Sequence, residues 1–69
     1  MRYAFIDKDV AVLNGFCEDT HRIVGGMMIL NENDLSIRQT DVEALAEALG
    51  GKLMTYGETI NKIKEIEYD

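Results

Sequence analysis

Thr40-Asp41-Val42-Glu43-Ala44-Leu45-Ala46-Glu47-Ala48-Leu49-Gly50-Gly51 is the stretch on which the fold reading turns. Thr40 followed three residues later by Glu43 matches a capping box, each side chain answering a free backbone N–H of the other. Val42, Leu45, Ala46 and Leu49 fall at i, i+3, i+4 and i+7, one apolar stripe at helical period. Gly50 and Gly51 supply the left-handed residue that ends helices at little steric cost. The spacing therefore predicts an amphipathic helix over 41–49.

Working outward, Lys52 to Tyr56 reads as a strand. Residues 58–69 admit two readings. Ile60, Ile63 and Ile66 at spacing three suit a helix, and Glu58 and Lys62 form a favourable i,i+4 pair. Ile66 and Tyr68 alternating with Glu65 and Glu67 suit a terminal strand. A helix from Glu58 is the reading adopted. Upstream, Asn31 to Asp34 is a loop by composition, and Leu35 to Arg38 a short extended lead into the helix. His21 to Leu30 is apolar without alternation, so it reads as a strand covered on both faces or bent at Gly25-Gly26. If Val24, Met28 and Leu30 line one face and Ile23, Met27 and Ile29 the other, one helix cannot cover both. The second face then needs the second helix, a dimer mate or another partner.

Arg2 to Ile6 alternates as a strand, Asp7-Lys8-Asp9 breaks it, and Val10 to Leu13 resumes a β-like pattern, giving a hairpin. A bulge at Asn14-Gly15 and a turn at Glu18-Asp19-Thr20 come next. The expected architecture is α+β. An antiparallel sheet of three or four strands carries helices on one face, in the order β-β-β-α-β-α.

Sixty-nine residues make one domain, 1–69. One cysteine and one histidine leave no intrachain disulfide and no Cys/His zinc site, and no cofactor motif is present. No apolar run approaches the ~20 residues of a membrane span. A lone thiol with no secretory leader fits a reducing cytoplasm. Thirteen acids against seven bases give a net charge of −6, which opposes phosphate contact and argues against direct nucleic-acid binding. The acids concentrate after residue 40, where seven face three bases.

Cys17, Asp19 and His21 at alternate positions would share a face of a strand, so a Cys17–His21 nucleophile is conceivable. A hairpin tip with Cys17 as a small hydrophobe is the simpler reading. Asp7 with Asp9, and Asn31 with Asn33 and Asp34, offer oxygen ligands but lack the calcium-loop pattern, so turn roles prevail. Gly25-Gly26 and Gly50-Gly51 belong to no phosphate-loop motif. Met27, Met28 and Met54 read as core filling.

The outer face of the 41–49 helix carries the functional signal. Glu43 and Glu47 are like charges at i,i+4, with no Lys or Arg between 41 and 49 to offset them. Glu43 and Asp41 gain from the helix dipole, whereas Glu47 lies toward the end where negative charge is unfavourable. A solvated acidic face is the plain reading. The alternative is a docking surface of Asp41, Glu43 and Glu47, extended by Glu58, Glu65 and Glu67, for a protein with a basic patch.

The sequence thus predicts a small, non-enzymatic interaction module that binds and regulates a larger protein. One specific form places carboxylates where phosphates would lie, inhibiting a nucleic-acid-binding host-defence enzyme, as a phage or mobile-element protein would. A homo-oligomer assembled through its sheet is the second reading. A small enzyme using Cys17 and His21 is the third.

Overall fold

A computed structural model describes residues 1–68. Its elements are β1 (Arg2–Asp7), α1 (Lys8–Leu13), β2 (Arg22–Val24), β3 (Met27–Asn31), α2 (Glu32–Ile37), α3 (Val42–Ala48), β4 (Lys52–Thr55) and α4 (Tyr56–Glu67). The four strands form one antiparallel sheet in the order β2-β3-β1-β4. The α+β class holds, and with the short α1 and α2 set aside the order is β-β-β-α-β-α.

Several local expectations are corrected, for related reasons. Asp7 breaks β1 by capping a helix rather than turning a hairpin. Its Oδ1 accepts from the backbone N–H of Asp9 at 3.0 Å and of Val10 at 3.3 Å. Val10 to Leu13 is accordingly helix, and Asn14-Gly15 is the end of α1 rather than a bulge. Asn31 acts likewise for α2, its Oδ1 accepting from Asp34 N–H at 2.8 Å, so 31–38 is neither loop nor extended chain. Side chains that favour turns also satisfy the free N–H groups of a helix start.

The predicted third strand is a hairpin. Gly25 and Gly26 both have positive φ, 58° and 76°, as the two-residue turn between Val24 and Met27 requires. That turn sets the parity. Ile23 pairs with Met28 and Val24 with Met27, so Val24 shares a face with Met27 and Ile29 rather than with Met28 and Leu30.

Around α3 the start shifts by one residue. Asp41, not Thr40, is the N-cap, with Oδ2 accepting from Ala44 N–H at 3.1 Å. The Thr40 amide is already committed to Leu35 O at 2.8 Å, closing α2 through Gln39 at φ 57°. Gly50, at φ 68°, ends α3 as expected. Gly51 N–H returns to Ala46 O at 2.7 Å and Gly50 N–H to Glu47 O at 3.4 Å, the paired bonds of a Schellman motif. The capping box lies instead at α4, between Thr55 and Glu58. Residues 56–67 are helix throughout, and Asp69 lies outside the described residues.

Helices cover both faces of the sheet, not one. Ala4, Ile6, Met28 and Leu30 pack with Ala11 of α1, Leu35 of α2, and Val42 and Ala46 of α3. Phe5, Val24 and Ile29 face the other way, against Ile63 and Ile66 of α4. The second apolar face is therefore covered by the chain's own α4, with Ile63 and Ile66 only partly buried.

Candidate functional site

The six carboxylates singled out from sequence do not share a surface. Asp41, Glu43 and Glu47 belong to α3 and its cap, and Glu58, Glu65 and Glu67 to α4, on the opposite face of the sheet. All six are exposed.

Four of them have identifiable work. Asp41 caps α3. Glu43 Oε2 lies 3.4 Å from Arg2 Nη1, so a cation from β1 partly offsets the α3 face. Glu58 accepts from Thr55 N–H at 3.1 Å while its own N–H donates to Thr55 Oγ1 at 3.3 Å. That bond from the Thr55 backbone, with help from the hydroxyl, holds the Glu58 carboxyl below its usual range. The expected Glu58–Lys62 ion pair does not form within 4 Å, because the box has claimed the carboxylate. Glu67 meets Arg22 at 2.7 Å, tying the end of α4 to edge strand β2. Glu47 and Glu65 have no cation within 4 Å among the described residues.

Arg2 is the centre of a network that sequence reading did not find. Its Nη2 and Nε donate to Glu32 Oε2 at 2.8 and 3.2 Å, and its backbone N–H to Oε1 at 3.1 Å. The side-chain bond from Arg2, then the backbone one, lowers the Glu32 carboxyl below its usual value, and the same bond raises the Arg2 guanidinium further. The signal was hidden by a separation of thirty residues. Only the β1–β3 register, with Tyr3 opposite Asn31, brings the two together.

Cys17 and His21 do not meet as a nucleophile and its base. Cys17 is exposed, and His21 Nδ1 lies 2.9 Å from the Cys17 carbonyl oxygen. The Thr20 hydroxyl oxygen lies 3.1 Å from the same nitrogen, so Nδ1 is engaged within its own turn. Thr20 closes the same turn, its hydroxyl 3.2 Å from that carbonyl. Among the described residues, no group of three His, Cys, Asp or Glu side chains converges as metal ligands would. No helix among them is long and apolar enough to cross a membrane.

A shallow, open depression of about 300 Å³ is lined by Thr20, His21, Asp34, Ile37 and Arg38. Arg38 lies over the Phe16 ring, 5.2 Å from guanidinium carbon to centroid, and the His21 ring meets Phe16 edge-on at 6.1 Å. Phe16 is buried, so both polar groups stand on a fixed support. No family model matches the chain, and searches of curated proteins and of solved structures find no match.

Proposed function

We propose that this protein is a non-enzymatic interaction module that binds and regulates a larger protein presenting a basic surface, through the outer face of α3. The observation that carries this reading is Glu47. Its neighbours Asp41 and Glu43 are engaged in a cap and an ion pair, and the apolar stripe of α3 is spent on the core. Glu47 sits in the C-terminal half of α3, where the helix dipole disfavours a carboxylate, with no cation within 4 Å among the described residues. A free thiol at Cys17 fits a reducing cytoplasm as the place where this happens. The narrower form, a phosphate mimic directed at a nucleic-acid-binding defence enzyme, rests on the three carboxylates of the α3 side alone.

Affinity purification from the native host, followed by binding to the captured protein, tests the reading. Glu47→Lys is the clean variant, because Glu43→Lys would also disturb Arg2. Reversing one rim charge should weaken binding about three- to tenfold, and the wild-type affinity should fall with salt. An affinity indifferent both to Glu47→Lys and to ionic strength would sink the proposal.

A second reading, assembly of copies through the sheet, draws support from the outer edge of β4, which has β1 as its one strand neighbour. A surplus apolar face lends it no support, since α4 covers that face. Sedimentation showing a monomer at micromolar concentration would remove it.

A further inference from the structure

We propose that the depression between the Cys17–His21 turn and α2 binds a small zwitterion of the α-amino-acid class. In this arrangement the ligand carboxylate meets Arg38, its ammonium meets Asp34 beside the His21 ring, and an apolar side chain rests along Ile37.

The case begins with Arg38. In a chain where acids outnumber bases almost two to one, Arg2 and Arg22 both find carboxylates, but Arg38 has none within 4 Å among the described residues. A partner stands at the usual helical spacing: Asp34 is four residues earlier, where i,i+4 pairs ordinarily form. The two are nevertheless held apart, each by its own anchor. Arg38 is laid on the Phe16 ring, and Asp34 Oδ2 accepts from Asn31 Nδ2 at 2.9 Å within the α2 cap. The same depression is therefore lined by an unpaired cation and by a carboxylate that has not collapsed onto it.

The remaining lining groups fit the same ligand. The His21 ring, set edge-on against the buried Phe16, forms the wall of the depression on the turn side. Ile37 is 82 % exposed, an apolar wall with no covering side chain. A simple oxyanion would meet Arg38 but would also face Asp34 and the acidic field of the whole chain. A ligand carrying both charges meets both partners, and a volume of about 300 Å³ is at the lower end of small-molecule sites, enough for one amino acid.

The probe is L-leucine, followed by backbone amide NMR shifts, with N-acetyl-L-leucine, L-leucinamide and inorganic phosphate as comparators. L-Leucine should shift the amides of Thr20, His21, Asp34, Ile37 and Arg38, with a dissociation constant on the order of 1 mM for so small a ligand. Capping either charge should weaken binding about tenfold or more, as should Arg38→Gln and Asp34→Asn. Both variants change exposed side chains, and unchanged shifts elsewhere confirm that they fold. The proposal is overturned if no shift occurs at this depression up to tens of millimolar L-leucine. It is equally overturned if the acetylated or amidated ligand binds as well as L-leucine, or if phosphate alone binds.

Discussion

The two faces of the sheet are built to different standards. On the side of α1, α2 and α3, three helices close over Ile6, Met28 and Leu30, all fully buried, with Leu35 and Val42 nearly so. On the other side a single helix, α4, covers Phe5, Val24 and Ile29, while Tyr3, Met27, Met54, Ile63 and Ile66 remain partly open to water. Val10, Ile23, Leu45 and Leu49 are partly buried at the margin of the first face, but its centre is a sealed core. The second is a layer whose residues keep part of their hydration, so each apolar group there contributes less. In a chain of this length, with total stability of about 3–10 kcal/mol, that asymmetry decides which substitutions are survivable.

The largest expected effect is a direct consequence. Leu30→Ala, on the sealed face, should cost about 2–5 kcal/mol through lost transfer energy and the cavity left behind. Ile66→Ala, on the α4 face, should cost about 1–2 kcal/mol, because its side chain is only half-buried and water can reach the gap. Urea denaturation of the two variants checks this. Equal losses would mean that the α4 face is as closed as the other.

Glycines sharpen the contrast at the two ends of β4. A Cβ at Gly51 would stand 2.5 Å from the Phe5 carbonyl oxygen and 2.8 Å from Ile6 Cγ1, so the sheet itself would have to move. Gly51→Ala should therefore destabilise by about 1–3 kcal/mol. Gly57, in the first turn of α4, has nothing within 4 Å of the same atom. Gly57→Ala should stabilise by about 0.4–1 kcal/mol, through reduced freedom of the unfolded chain. If both substitutions moved the midpoint the same way, the close packing of α3 and β4 on β1 would not be what Gly51 serves.

The same asymmetry governs what could be read from sequence. The stripe and glycine stop of α3 were legible because a helix facing a sealed core must keep a strict period. α4 was ambiguous because its alternating end, Glu65 to Tyr68, answers to an open layer that tolerates either pattern. Asp7 and Asn31 misled for a different reason. A cap and a turn ask the same short oxygen-bearing side chain to bind a nearby amide, and only the packing of the downstream residues decides between them. After Asp7, Val10 and Ala11 pack as helix residues against β1 and β3, a tertiary choice that four residues of local pattern did not carry. The two-residue turn at Gly25-Gly26 hid as a bend, and it reversed the parity of Ile23 and Val24. Of the site residues, the fate of Glu43 depended on Arg2 and that of Arg38 on Phe16. Both are contacts between segments distant in the chain, and no periodicity reports them.

Acid should distinguish the faces last and least. Glu32 fastens α2 to β1 on the sealed face, and Glu58 caps α4 on the open one; both carboxyls lie below their usual range in the folded chain. A depressed carboxylate contributes stability that is fully present above its unfolded value of about 4.3 and is lost as pH falls through the lower folded value. Each should therefore make the protein more sensitive to acid below about pH 4.3. Glu32 accepts three bonds from Arg2, two of them from its charged side chain, whereas Glu58 accepts one from a neutral amide. Charge-assisted bonds depend more strongly on ionisation. Glu32→Gln should accordingly flatten the fall of the urea midpoint between about pH 6 and pH 3 more than Glu58→Gln does. The reverse order would place the acid-sensitive contact on the α4 face, and would mean that the Arg2 network at the edge of the sealed face is too well solvated to matter.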